Sequence, residues 1–441
     1  MKKNRKTIII LSMGILLSLA KLVSLISKIF MNRRLGLEAM SIFSLCNSLI
    51  VLILTLSSFS LQTTISSLIS RSPQKKAKIF ISSAFIAIII SILLIILLFL
   101  INEKIAIHFL HNKDTLPCIK AITLLIPLHS FSAIIKGYYI GLNKMTLASS
   151  STLFEEIGRL LFIVIFTSIF TSLPSYSLAS IGVYSLCVGE LFQGFSMLIL
   201  GKENYIKRVP KVINEFFNKA NYELKEIFTT SLSLTSAKLI GSITYFFEAI
   251  IFTTLLSKNG YSTSFITIQY GLFSSYVLPL LMIPSFFSTS VSTYLLPKIN
   301  MKIRQKKEDE AKRMIKKVIL ISLIVGAFFS LIFFLFPKEI SFFLFKESKG
   351  APLVKVFSLP FILYYIESPL ICCMQAYKKT NKALISTCVS SSFRIIFLLI
   401  FTNSLKVYSL GIATISSIYI DVILNLFFLK DILFFNDKKI I

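Results

Sequence analysis

Charge is what this 441-residue sequence has least of. Asp, Glu, Lys and Arg together make up 15% of it, against 55% hydrophobic residues. That balance points away from a water-soluble domain and toward a chain dissolved in lipid. Recognisable catalytic signatures are missing as well. There is no Walker loop, no GxSxG, no HExxH, and no large extracytoplasmic loop carrying an acid–His cluster. The longest outer connections, 102–116 and 337–352, are short. An enzyme is therefore not expected, and no catalytic residue is assigned. The six cysteines (46, 118, 187, 372, 373 and 388) are scattered, which gives neither a disulfide framework nor a metal spacing. His108 and His111 in "AIHFLHNKD" have no third ligand cluster nearby, so they read as part of an outer loop. Ten-residue alternating segments are also absent, which excludes an outer-membrane barrel.

Apolar runs of about 20 residues are abundant, the length a helix needs to cross ~30 Å of hydrocarbon. Twelve spans are expected near 7–30, 41–69, 79–101, 117–140, 148–172, 178–200, 227–256, 264–296, 318–336, 353–377, 383–402 and 408–430. The formal charge of +27 follows the connections. "MKKNRKT", "RSPQKKAK", "GKENYIKRVPKVINEFFNKANYELKEI" and "PKINMKIRQKKEDEAKRMIKK" hold a large share of the Lys and Arg, while "LPSYS" and "SKNGYST" hold almost none. The positive-inside bias then puts both termini in the cytoplasm. The basic excess is a topology signal with some attraction to anionic membrane lipids, and no nucleic-acid partner is implied. "MKKNRKTIIILSMGILLSLA" has the regions of a signal peptide, but its apolar run continues to Phe30, so it reads as a retained first helix.

Internal repeats set the architecture. Residues 141–167 align without a gap on 376–402, and Lys144, Ala148, Ser151, Thr152, Arg159, Phe162, Ile165, Phe166 and Thr167 each meet their own type. "AKLVSLISKIF" at 20–30 is echoed by "AKLIGSITYFF" at 237–247, and Tyr-Ser-Leu introduces both the sixth and twelfth spans. The expectation is an all-α polytopic membrane protein. Two six-helix lobes, 1–200 and 227–430, would be related by a pseudo-two-fold axis along the membrane normal, with a cavity between them. Residues 201–226 would be a cytoplasmic linker and 431–441 a cytoplasmic tail.

Each half then repeats one formula: a lysine on its first helix, an arginine on its fifth, an acid on its sixth. Lys21, Lys238, Arg159 and Arg394 all fall within roughly 5 Å of the midplane at ~1.5 Å per residue. Each charge costs ~2.5–3.5 kcal/mol there, so the four are expected to line a cavity rather than face acyl chains. Arg159 has Glu155 one turn earlier, and an intrahelical pair competes with a substrate role. Arg394 has Ser390 and Ser391 where the first copy has Glu155 and Glu156, which leaves Glu367 or Asp421 as partners. Lys28 shares the face of Lys21 but lies near the outer boundary, where snorkelling suffices to explain it. Glu155, Glu156, Glu190, Glu248, Glu367 and Asp421 are candidates for counter-ions or for a coupling H⁺ or Na⁺. No other cofactor is expected. A cavity cationic at depth selects an anionic head group, and the guanidinium fork suits phosphate and pyrophosphate.

"SKIFMNRRLGLEAMSIFSL", "KGYYIGLNKMTLASSSTLFEEIGRLLF", "LLPKINMKIRQKKEDEAKRMIKKVILIS" and "ISFFLFKESKGAPLVKVFSLPFILYYIESPLICCMQAYKKTNKALIST" resemble the stage V sporulation protein B branch of the polysaccharide-exporter families. These sit in the superfamily that also holds MATE drug exporters and lipid II flippases. The resemblance covers nearly the whole chain. It implies a flippase of the bacterial cytoplasmic membrane that moves an undecaprenyl-pyrophosphate-linked saccharide by alternating access. In the lipid II branch cations on the first helix are important, and Lys21 and Lys28 occupy that helix here. Many relatives carry fourteen helices, the last two flanking a groove for the lipid tail, whereas about twelve are counted in this sequence. Two other readings stay open: a MATE-type exporter of organic cations, and a non-transporting scaffold that recruits cell-wall synthesis enzymes.

Overall fold

The computed structural model describes residues 2–170, 173–201 and 221–433. Among them the chain is helical throughout, with no strand. The helices are α1 (Lys2–Ser58), α2 (Leu61–Arg71), α3 (Lys76–Lys104), α4 (Leu116–Gly141), α5 (Met145–Ile169), α6 (Ser175–Gly201), α7 (Asn221–Lys258), α8 (Thr263–Gly271) and α9 (Leu278–Leu281). They continue as α10 (Ser285–Arg304), α11 (Glu308–Leu335), α12 (Pro337–Phe345), α13 (Ala351–Ser358), α14 (Tyr364–Ala376), α15 (Thr380–Leu405), α16 (Val407–Phe428) and α17 (Lys430–Leu433). Two compact units, residues 1–250 and 251–441, divide the chain inside α7. Residues 202–220, most of the expected linker, lie outside the described residues; α7 begins at Asn221, before the expected start at 227.

Nine stretches are long and apolar enough to span a bilayer, ten with the bent pair α13–α14, among the described residues. Twelve were expected, and the difference has physical causes. Residues 12–71 count as one stretch of 60 residues. At 1.5 Å per residue that is about 90 Å, far more than one crossing of a ~30 Å core. It breaks at Gly36, whose φ of 77° and ψ of 173° are open to a residue without Cβ. Two spans meet there. The second is interrupted again at Phe59 and Ser60, both at positive φ. α5 fails the test through Glu155, Glu156 and Arg159, yet its 25 residues equal a span in length. The expected spans 264–296 and 353–377 are broken rather than straight: α9 ends at Leu281 before α10 starts, and α13 and α14 meet at 61°.

Burial runs opposite to that of a soluble protein. Ile88, Ile92, Leu93, Phe99 and Leu100 of α3 are exposed, whereas its Ser82, Ser83 and Ser91 are buried. Lipid solvates the large apolar side chains, so small polar residues take the helix contacts and hydrogen-bond there. Ser91 donates to Ser130 Oγ at 3.2 Å, and Ser130 donates to the Ser57 carbonyl at 2.9 Å, joining α3, α4 and α1. In the second unit Tyr365 Oη donates to the Leu281 carbonyl at 2.8 Å, satisfying an acceptor at the broken end of α9.

The same close packing makes Gly326 irreplaceable. A Cβ there would stand 2.0 Å from Tyr365 Cδ2, while at Gly241 it would meet nothing within 4 Å. Gly326→Ala should cost about 1–3 kcal/mol by overpacking, whereas Gly241→Ala should be neutral or slightly stabilising. Thermal melts of the two purified variants in detergent check this; equal midpoints would refute the packing assigned to Tyr365.

Candidate functional site

The charges of the first unit form one network across three helices. On α5, residues three and four apart share a face, and Arg159 uses this twice. Its Nη1 donates to Glu156 Oε1 at 3.2 Å, and its Nη2 donates to Glu155 Oε1. Gln193 of α6 donates to the other oxygen of Glu155. Gly189, one turn before Gln193, gives the guanidinium its room: a Cβ there would fall 2.7 Å from Arg159 Cγ. Glu190 is held by His129 Nδ1 at 2.8 Å and by the Ser132 hydroxyl, both on α4. Lys136 of α4 donates to Thr152 Oγ1 of α5 at 2.9 Å. Glu155 and Glu156 are each 9% exposed and Glu190 4%, so all three acids are buried with partners.

Beside this network lies a cleft of about 180 Å³, whose lining includes Lys28, Asn47, Glu156, Arg159 and Ser185. Lys28 sits in the field of Glu156. Lys28, for which snorkelling was the simpler explanation, lines this cleft together with Glu156 and Arg159. Lys21, two turns earlier, is half-buried and outside that lining. Lys238 is exposed on α7, and Glu248, ten residues on, is 1% exposed. Of the four cations expected at depth, Arg159 alone reaches this cleft, joined by Lys28.

The second unit solves the same problem with neutral groups. Arg394 Nη2 donates to Thr414 Oγ1 at 3.1 Å. Asp421 accepts from Ser386 Oγ at 2.7 Å and from Asn425 Nδ2 at 2.8 Å. Glu367 feels the charges of both Arg394 and Asp421, and it lines a separate cavity of about 260 Å³ with Ser285, Ser288, Thr289, Tyr364, Ser368 and Ile371. Arg394 was expected to take Glu367 or Asp421 as partner. The Thr414 hydroxyl is one hydrogen-bond partner of Arg394, and Asp421 is engaged by Ser386 and Asn425.

Sequence reasoning missed His129, Lys136, Gln193, Thr414 and Asn425. His129 and Lys136 carried a signal, since both are ionisable inside the fourth span. Gln193 and Asn425 also did: they occupy corresponding places after the two Tyr-Ser-Leu starts. Thr414 carried none, since a threonine in an apolar helix is ordinary.

With the geometry in hand, the chain can be set against known proteins. The family profile for polysaccharide biosynthesis proteins matches residues 4–302. The chain belongs to that family. Stage V sporulation protein B of Bacillus subtilis (strain 168) is 24% identical over 426 residues, covering 95% of this chain and 82% of that protein. Among solved structures, a multidrug resistance MATE transporter of the MOP superfamily in an inward-facing conformation gives a TM-score of 0.69 at 15% identity, with 96% of each chain covered. The lipid II flippase MurJ in an inward-closed conformation gives 0.67 at 18% identity, covering 94% of this chain and 87% of that one. The fold of this polysaccharide biosynthesis family member is thus that of the MATE-like transporters and flippases. It is a multi-span helical membrane protein whose fold neighbours are transporters and flippases.

The two arginines should differ when removed. Arg159→Ala leaves Glu155 and Glu156 buried without their cation and should cost about 3–5 kcal/mol. Arg394→Ala, whose described hydrogen bond is to a neutral hydroxyl, should cost roughly 1–3 kcal/mol. Detergent melts of both variants test the order, and an equal or reversed loss would contradict the pairing.

Proposed function

We propose that this protein is a flippase for an anionic, undecaprenyl-linked saccharide, moved across the bacterial cytoplasmic membrane by alternating access. The observation that carries the reading is the convergence of Lys28 and Arg159, from different helices, on one cleft in a protein of the polysaccharide biosynthesis family. The likeness to stage V sporulation protein B and to a lipid II flippase supports it. Lipid-linked pyrophosphate is the anion that this chemistry suits, because a guanidinium offers parallel donors and an ammonium a mobile point charge.

The geometry suggests how binding differs from rest. Glu156 occupies Arg159 Nη1 at 3.2 Å, and Arg159 Nε is buried with no hydrogen-bond partner. Glu156 acts as a stand-in anion. An entering pyrophosphate takes its place on the fork while Lys28, otherwise held by the field of Glu156, turns to the ligand. Lys21, Lys238 and Arg394 serve the head group at other points of its path. Glu190, Glu248, Glu367 or Asp421 carry a coupling H⁺ or Na⁺, or the membrane potential biases the cycle. A role beside cell-wall synthesis enzymes is compatible with this reading.

One observation favours a second reading. Glu156 shares the cleft with the two cations, and Glu155 and Glu190 are buried behind it, so an exporter of organic cations would find carboxylates there. Purified protein in vesicles decides between the two. A fluorescent undecaprenyl-pyrophosphate glycan should move outward, and Lys28→Gln and Arg394→Ala should each slow it by roughly tenfold or more, the loss of one charge-assisted hydrogen bond. Normal glycan flux in both variants would refute the site. Efflux of a cationic dye without glycan movement would assign the protein to the exporters.

A further inference from the structure

Lys144 in the first unit and Lys379 in the second correspond in the internal repeat, and they do the same work. Lys144 Nζ donates to the Gly201 carbonyl at 3.2 Å, at the end of α6. Lys379 Nζ donates to the Phe428 carbonyl at 2.8 Å, at the end of α16. Each lysine caps a helix C-terminus, where carbonyls lack intrahelical partners and a cation is favoured. The second copy then adds charge that this capping does not require. Lys378 and Lys382 stand where the first copy has Asn143 and Leu147.

The added charge converges on the capped residue. Lys382 Nζ lies 5.6 Å from the centroid of the Phe428 ring, so two ammoniums meet at one phenylalanine. Lys430 Nζ stands 4.9 Å from the ring centroid of the adjacent Phe427. Lys379 feels the repulsion of Lys382 and, among carboxylates, the attraction of Asp431. Across 377–382 and 427–431 the sequence holds four lysines against that one acid. Ammoniums gathered in this way repel one another unless an anion joins them. Lys379 spends one N–H on Phe428, and an ammonium has three.

The cluster stands at a membrane boundary. α15 and α16 are both long and apolar enough to span. At 1.5 Å per residue the 26 residues of α15 reach about 39 Å, more than a ~30 Å core, so its first turn stands at head-group level. Deeper along the two helices the surface is apolar. The bonds from Lys379 to Phe428 and from Ser386 to Asp421 fix their register, which sets Leu384 and Ile385 level with Ile423. All three side chains are exposed, as is Phe427.

From this arrangement we propose that the end of the second unit where α15 begins and α16 finishes binds an anionic phospholipid. Its phosphate sits among Lys379, Lys382 and Lys430, and its acyl chains run along Leu384, Ile385 and Ile423. Ammonium point charges suit a phosphodiester, and clustered lysines at a membrane surface attract anionic lipid. Charge that continues into exposed apolar side chains matches a lipid, whereas a free phosphate or an acidic peptide would use the lysines alone. The site lies outside the Lys28–Arg159 cleft and does not depend on the identity of the transported molecule.

The full chain in neutral detergent is titrated with fluorescently labelled phosphatidylglycerol, and binding is read by anisotropy at low and at high salt. Binding should saturate, weaken with salt, and yield to unlabelled phosphatidylglycerol but not to phosphatidylcholine. Lys382→Gln and Lys430→Gln should each weaken it about fivefold, and the pair about twentyfold or more, while the protein still elutes as a monodisperse peak. Lys406→Gln, at the opposite ends of the same two helices, should leave the affinity unchanged. Undiminished binding in the paired variant overturns the proposal, as does an equal loss in Lys406→Gln. Displacement by inorganic phosphate or by a polyglutamate peptide as readily as by phosphatidylglycerol also overturns it, and would assign the lysines to a soluble anion or an acidic partner.

Discussion

An ion in a hydrocarbon medium must find its counter-charge inside the protein, and the Arg159 bridge to Glu155 and Glu156 is where this chain meets that demand most fully. The bridge itself lies on α5, and α6 frames it. Gln193 holds the far oxygen of Glu155, and Gly189 clears the space in which the guanidinium stem lies against α6. Small residues and amides on α6 are therefore consequences of the arginine on α5. The same logic reaches α4, where His129 and Ser132 complete Glu190 and Lys136 reaches across to Thr152. Remove the guanidinium, and three helices lose the reason for their polar residues at this depth.

The fold was legible in the sequence because lipid leaves few choices. Every backbone polar group must be satisfied within its own segment, so apolar runs of span length read directly as helices. The breaks were less legible. Gly36 announces itself by its place between two apolar runs. The division between α9 and α10 falls at Pro284, a local mark inside an apolar run, whereas the interruption at Phe59–Ser60 has neither Gly nor Pro to announce it. Of the site, the intrahelical pair at Arg159 was readable from its spacing alone. Whether Lys28 faced lipid or a cleft was not, since seven residues along a helix fix its face but not what that face meets. Partners from other helices, Thr414 above all, lie beyond any rule of spacing.

The internal repeat shows how one scaffold can carry two kinds of polar site. Where the first copy has Glu155 and Glu156, the second has Ser390 and Ser391. The substitution has physical consequences on both sides. Arg159 is neutralised on its own helix, so the first unit can hold it part-buried at this depth. Arg394, with hydroxyls in place of carboxylates, hydrogen-bonds Thr414, and its charge acts on Glu367. The acids of the second unit are then left less fully compensated than those of the first. Asp421 recovers two neutral donors, from Ser386 and Asn425; Glu367 shares a cavity with the hydroxyls of Ser285, Ser288, Thr289, Tyr364 and Ser368. Divergence at two positions of one helix thus separates an arginine bridged to carboxylates on its own helix from one that hydrogen-bonds a hydroxyl of the next.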